Sequence, residues 1–249
     1  MRTDDTNTPD TPGSQDAPEN LSNMPDGGLI LAVDGPSGTG KSTTCRALAK
    51  QLNAKYVDTG AMYRVATLAV LRAGIDPQDT DAVIAATSDL PLEISDDPDS
   101  SEVMLAGENV AGEIRGREVT QNVSAVSAIP EVRINLVELQ RKLARDAHRA
   151  IVEGRDIGTV VLVDAPAKAF LTASPEVRAT RRYNQDIAAG RDADYDTVLA
   201  DVIRRDELDS SRATSPLRPA DDAELIDTSE MDKDAVLDAL ISLIERSAR

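Results

Sequence analysis

Asp34-Gly35-Pro36-Ser37-Gly38-Thr39-Gly40-Lys41-Ser42 has the residue types, at the spacing G-x-x-x-x-G-K-S, that wrap a chain around the phosphates of a nucleoside triphosphate. Glycines let successive backbone N–H groups turn inward on phosphate oxygens, and the lysine brings a positive charge to the outer phosphates. Ser42 then offers a hydroxyl to Mg2+. The candidate cofactor-binding residues are therefore Gly35, Pro36, Ser37, Gly38, Thr39, Gly40, Lys41, Ser42 and Thr43, with Ser42 as the metal residue. Two elements must hold such a loop. The apolar run Leu29 to Val33 predicts a strand in front of it. Cys45, Leu48, Ala49 and Leu52, at i, i+3, i+4 and i+7, predict a helix that starts where the loop ends and points its positive terminus at the anion.

Arginine is the second chemical signal. Arg178, Arg181, Arg182, Arg191, Arg204, Arg205, Arg212 and Arg218 fall in one stretch without a lysine. Their planar forks suit phosphate and carboxylate better than an ammonium does. A solvated surface, with these arginines paired to the acids of the same stretch, is the plainer alternative. A helix capped at Asp196 would put Arg205, Asp209 and Arg212 at i, i+4 and i+7 on one face, a stripe able to grip a polyanion. The helix before it has Ser174 as N-cap, Pro175 at its first position and Gly190 as its stop. Gly190 to Asp194 then forms a polar hinge, and the pair suggests a lid that closes over reacting phosphates and excludes water.

Three more segments follow short strand-like runs: Asp58 to Arg64, Glu153 to Gly158, and Leu225 to Thr228. In an open parallel sheet, ligands bind beyond the carboxyl ends of the strands, so polar residues there are site candidates. Asp58 could instead cap the helix beginning near Gly60, and Asp156 could simply pair with Arg155. Between Leu90 and Arg117, apolar residues alternate with polar ones around Asp97-Pro98-Asp99, which predicts small antiparallel strands.

Composition narrows the function further. The 249 residues carry a net charge of -17, against the basic face that a general nucleic-acid binder needs. Cys45 is the single cysteine, so no intramolecular disulfide is expected, and no apolar run approaches the ~18 residues of a membrane span. A reducing cytosol is the expected setting. The one histidine, His148, falls in a helical run from Glu131 to Arg149 whose Val132, Leu136, Leu139 and Leu143 share a face. Histidine acid–base chemistry and histidine metal clusters are therefore not expected, and phosphoryl transfer needs neither. Residues 1–28, rich in Asp, Thr, Pro and Ser, read as a disordered acidic tail.

Taken in order, Asp34 to Ser42, Asp58 to Arg64, Gly107 to Arg115, Ser124 to Arg133, Glu153 to Gly158 and Arg205 to Arg212 resemble the bacterial cytidylate kinases. These are phosphate-loop nucleoside monophosphate kinases, and the likeness extends over about residues 29–249. The resemblance implies an α/β, three-layer P-loop NTPase fold with a parallel five-stranded sheet. It also implies a small antiparallel β insert at about 88–118 and a short helical lid at about 178–195. The implied reaction moves the γ-phosphoryl group of ATP to CMP or dCMP with Mg2+. Lys41, Arg155, Arg205 and Arg212 match catalytic positions, and Arg64 joins the three arginines as a phosphate binder. Ser124, Arg133 and Asp156 match positions that read the cytosine edge. Thr59 and Asp209 match positions near the acceptor's sugar, and Tyr63 lies against that nucleotide. Where the family often has Ser, Thr59 keeps the hydroxyl and adds a methyl. The family implies a cytoplasmic monomer with no nucleic-acid or membrane partner. A shikimate-type kinase and a nucleotide switch are the competing readings. The guanine signature Asn-Lys-x-Asp is not matched by Asn53-Ala54-Lys55-Tyr56.

Overall fold

Alternation in the run Leu29 to Val33 decides the layering of the molecule. Leu29, Leu31 and Val33 point to one face of a strand and Ala32 to the other, and each face meets its own hydrophobic cluster. The computed structural model describes residues 28–248, so the expected tail, Gly28 apart, lies outside the described residues. From its N-terminal end the chain forms β1 (Leu29–Asp34), α1 (Lys41–Gln51), β2 (Lys55–Asp58), α2 (Thr59–Arg72) and α3 (Thr80–Thr87). Next come β3 (Leu92–Ile94), β4 (Val103–Leu105), β5 (Glu108–Asn109), α4 (Arg117–Val126) and α5 (Pro130–Asp146). The last part holds β6 (Arg149–Glu153), β7 (Ala167–Thr172), α6 (Pro175–Ala188), α7 (Tyr195–Ser210), β8 (Glu224–Asp227) and α8 (Lys233–Ser247).

The five-stranded sheet has the order β2-β6-β1-β7-β8, every pair parallel. Cys45, Leu48 and Ala49 of α1 and Val236, Leu240 and Ile244 of α8 cover one face. Met62, Ala66 and Val70 of α2, with Val132, Leu136 and Val137 of α5, cover the other. Both faces of the inner strands are thus buried, which is why β1 and β6 read as nearly unbroken apolar runs. A second sheet, β3-β4-β5, is antiparallel and packs Val103 and Leu105 against Val65 and Leu68 on the outer side of α2. Its tip is closed by the expected turn, in which Asp97 Oδ1 accepts from Asp99 N at 2.8 Å. Arg46 of α1 donates to the carbonyls of Pro98 and Ser100 and so ties that tip to the main domain.

Strand register does the work that matters for the site. Asp58 lies opposite Glu153, and Glu153 lies opposite Val33, the residue before Asp34. Three acids therefore stand at or within one residue of the same level on the carboxyl edge of the sheet, Asp34 and Glu153 followed by loops and Asp58 by α2.

Three boundaries differ from the sequence-based expectation. The helix expected over Glu131 to Arg149 ends at Asp146, because the His148 carbonyl accepts from Leu29 N at 3.1 Å and Arg149 already pairs with β1. His148 is consequently not on a helix. The helix expected to be capped at Asp196 is capped at Asp194, whose Oδ1 accepts from the N–H of Thr197 at 2.9 Å and from its hydroxyl at 2.7 Å. Asp194 competes better because its carboxylate reaches two donors at once. α7 also stops at Ser210, so Arg212 sits beyond the helix rather than on its stripe.

Leu48 is fully buried between α1, α8 and the sheet. Leu48→Ala is expected to cost ~2–5 kcal/mol in urea unfolding through lost burial and a residual cavity. Leu225→Ala, on a side chain 63% exposed, should change stability by no more than ~0.5 kcal/mol.

Candidate active site

The phosphate loop is shaped by one close approach. Gly35 has φ 144°, and a Cβ there would stand 2.0 Å from the Leu171 carbonyl oxygen, so β7 touches the loop backbone directly. Gly40 takes the N-cap of α1 in the left-handed region with no side-chain cap, which leaves the first N–H groups of the helix open toward an anion. Lys41 Nζ is turned under the loop, donating to Gly35 O at 2.7 Å and Pro36 O at 2.6 Å. Burial, and after it the neighbouring Arg155, lowers the Lys41 pKa to about 7. Outside the loop, Arg178 Nη1 donates to Ser37 O at 3.3 Å, while Arg181 Nη1 and the Thr228 hydroxyl reach Thr39 O at 3.3 and 3.1 Å. Ser37 to Thr43 line a cleft of about 1020 Å³, whereas Gly35 and Pro36 stand behind them.

Arginines from distant parts of the chain converge on that cleft. Asp209 of α7, nearly buried, is their hub: Arg155 Nε lies 3.0 Å from its Oδ2, Arg212 Nη2 lies 2.8 Å from its Oδ1, and Arg205 Nε lies 3.9 Å from Oδ2. Against the effect of burial, Arg155 and Arg212 hold the Asp209 carboxyl below the usual range. One carboxylate cannot satisfy three guanidinium groups. The Nε atoms of Arg205 and Arg212 are buried without a hydrogen-bond partner. Burial, followed by repulsion from Arg155 and Arg64, lowers the Arg205 pKa to about 9, and burial with Arg182 lowers that of Arg64 to about 10. Arg64 is aimed by the carbonyl of Ile114 and the hydroxyl of Thr120, each at 2.9 Å. Such a cluster is stabilised by whatever brings negative charge to it.

Deeper in the cleft, Arg133 of α5 and Asp156 form an ion pair with both side chains only 5% exposed. Arg133 Nη1 also donates to Ser127 O at 3.0 Å, and its guanidinium lies 5.0 Å from the centre of the Tyr63 ring. Asp156 therefore pairs with Arg133 and not with its neighbour Arg155, while Asp58 does cap α2, accepting from Ala61 N at 3.0 Å. Thr59 lines the cleft, but its hydroxyl is engaged by Glu153 O at 2.7 Å. Ser124 stands behind the wall and donates to Asp209 Oδ1 at 3.2 Å.

Glu153 and Tyr56 line the same cleft and Asp34 stands behind it, none of them given a role by the sequence. Glu153 is buried and its Oε1 accepts from the Tyr56 hydroxyl at 2.5 Å, but its Oε2 has no partner. Burial and the adjacent Asp58 push its carboxyl up. Two acids facing each other beside the exposed hydroxyl of Ser42 suit a divalent cation. Asp34 is also pushed up, to about 6, chiefly by burial and against two backbone hydrogen bonds. These residues carry no motif of their own. Asp34 and Glu153 could have been found only as the last residues of β1 and β6, and Tyr56 bears no such mark.

A family model described as "Cytidylate kinase" matches residues 31–246. A cytidylate kinase of Corynebacterium glutamicum is 74% identical over 225 residues, which cover 90% of this chain and 98% of that protein. One from Nocardia farcinica is 60% identical over 216 residues, covering 87% of this chain and 93% of that one. Among solved structures, an uncharacterized protein from Eubacterium ventriosum shares the fold, with a TM-score of 0.50 at 15% identity over 88% of this chain and 98% of that chain.

Asp209→Asn should leave three guanidinium groups without their shared carboxylate. The expected loss is roughly 3–5 kcal/mol in thermal or chemical unfolding. Added phosphate should recover more of that stability in the variant than in the parent protein, because the anion replaces the missing charge.

Proposed function

The chain belongs to the cytidylate kinase family, and we propose that ATP lies along its phosphate loop while the acceptor nucleotide fills the inner half of the cleft. The protein is an ATP-dependent kinase of CMP and dCMP, yielding CDP or dCDP and ADP. The observation that carries the assignment of the acceptor site is the buried Arg133–Asp156 pair beside the unpartnered Nε atoms of Arg205 and Arg212. A base reader stands next to a phosphate holder.

Asp156 accepts from the cytosine amino group, and Arg133 donates to ring N3 and O2. Uracil carries an oxygen in place of that amino group and a hydrogen on N3, so each contact would oppose it, and unpaired polar groups in a buried pocket discriminate strongly. Tyr63 packs against the acceptor, and Thr59 and Asp209 lie around its sugar. Ser124 acts on the same pocket through Asp209, to which it is bonded. Arg64, Arg155, Arg205 and Arg212 bind the phosphates, and Lys41 leaves the loop carbonyls for the outer phosphates of ATP. Their charge counts most while it is being redistributed over the moving group. The acceptor phosphate is already anionic, so no general base is required.

Mg2+ bound with ATP would draw charge from the phosphate oxygens, and Ser42 together with Glu153 would hold it. The unpartnered Glu153 Oε2 is what favours that assignment. The hinge between α6 and α7 lets the arginines of this pair close on the phosphates and shut out water. We place the enzyme in the cytoplasm as a monomer. No helix among the described residues is long and apolar enough to cross a membrane.

An acceptor panel with ATP and Mg2+ tests the reading. CMP and dCMP should exceed UMP, AMP, GMP and shikimate in kcat/KM, and a higher value for AMP or shikimate would refute it. Lys41→Ala should fold normally and lose on the order of a hundredfold or more in kcat, since one such cationic contact is worth ~3 kcal/mol in the transition state. Steady-state kinetics on the variant, with circular dichroism as the folding control, measures this.

A further inference from the structure

Asp34 closes β1 and precedes the phosphate loop, yet its side chain is bound to a different loop. Its Oδ1 accepts from Ile157 N and its Oδ2 from Gly158 N, both at 2.8 Å, and the residue is 3% exposed. Ile157 and Gly158 directly follow Arg155 and Asp156. One step earlier, Gly154 N donates to Val33 O at 3.0 Å. The segment carrying the phosphate-binding arginine and the base-reading carboxylate is thus fastened to the end of β1 at three backbone N–H groups.

A second side chain meets the same segment. A Cβ on Gly158 would lie 3.2 Å from Lys168 Cδ and 3.5 Å from Asp34 Oδ2, so there is little room beside the glycine. Lys168 Nζ donates to Val163 O at 2.6 Å and to the Asp222 carboxylate at 2.7 and 2.9 Å, anchoring the stretch where the loop returns to the sheet. Asp34 is not part of the cleft wall. It can influence the acceptor only through the backbone it holds.

We propose that Asp34 is a positioning residue for acceptor choice: by clamping Ile157 and Gly158 it sets where the Asp156 carboxylate meets Arg133, and so sets the preference for cytosine over uracil. The inference rests on Asp156 reading the base as described above. A side-chain amide in place of the carboxylate would present an N–H2 to one of the two backbone N–H donors, whichever way it is turned. One bond is then lost and replaced by a repulsive contact, and the loop shifts.

Asp34→Asn tests this through a readout that a general loss of packing would not move. The ratio of kcat/KM for CMP over UMP is expected to fall about tenfold, with KM for CMP raised, on the scale of one buried hydrogen bond to a charged group. The Kd of ATP, measured by calorimetry without an acceptor, should stay within about twofold. An unchanged CMP to UMP ratio, or ATP binding weakened as much as CMP use, would overturn the proposal. Asp156→Asn measured alongside separates the two levels. If discrimination survives in that variant, the reading of Asp156 fails and this inference falls with it. If only Asp156→Asn loses discrimination, this inference alone fails. Should Asp34→Asn not fold, Gly158→Ala takes its place, since its methyl would stand 3.2 Å from Lys168 Cδ and 3.5 Å from Asp34 Oδ2, crowding the same clamp and leaving the phosphate loop untouched. The same loss of CMP over UMP preference is expected there, and an unaltered preference would equally overturn the proposal.

Discussion

Three guanidinium groups share one buried carboxylate, and the design of the molecule follows from that imbalance. Asp209 pairs with Arg155 and Arg212 and lies within reach of Arg205, yet two Nε donors remain buried without partners. Burying a charge without full pairing is costly, so the cluster favours any ligand that brings negative charge. Nucleotide phosphates do that, and the cost of assembling the cluster is met on binding. This also accounts for an acidic protein that binds polyanions. Its positive charge is gathered in one concave place, while the net charge of -17 belongs to the whole chain.

The sheet provides the frame for that concentration. Parallel strands end at a common edge, and register puts Asp58, Glu153 and the Val33–Asp34 step at the same level. Each acid serves a different neighbour: Asp58 caps α2, Glu153 takes the Tyr56 hydroxyl, and Asp34 holds the loop after Asp156. The two sides of the reaction are therefore joined at the end of β1. Its last residue precedes the phosphate loop in sequence and by hydrogen bonding belongs to the loop that carries Arg155 and Asp156.

Residues whose task is set by local chemistry were readable directly. The loop from Gly35 to Ser42, the buried stripe of α1, the Ser174 cap with Pro175, and the strands that end at Asp58, Glu153 and Asp227 all follow from spacing and residue type. Helix ends were less accessible when the competing partner was distant. α5 stops early because the Leu29 N–H, far away in sequence, claims the carbonyl of His148. At α7 the competition was local, and Asp194 prevailed over Asp196 by reaching two donors of Thr197.

By itself, the amino-acid sequence determined the phosphate-loop fold, the family and the roster of charged residues, because glycine geometry, apolar periodicity and arginine content are properties of short segments. Which charge meets which was decided only by the tertiary structure. Asp156 could have paired with Arg155 next to it, but it pairs with Arg133 of α5. Ser124 is bonded to Asp209 rather than lining the cleft. Glu153 keeps one oxygen unpartnered beside Ser42, and Asp34 grips a loop more than a hundred residues away. Those outcomes depend on strand order and on helices packed from remote parts of the chain. A buried charge is settled by its nearest neighbours in space, which spacing along the chain does not specify.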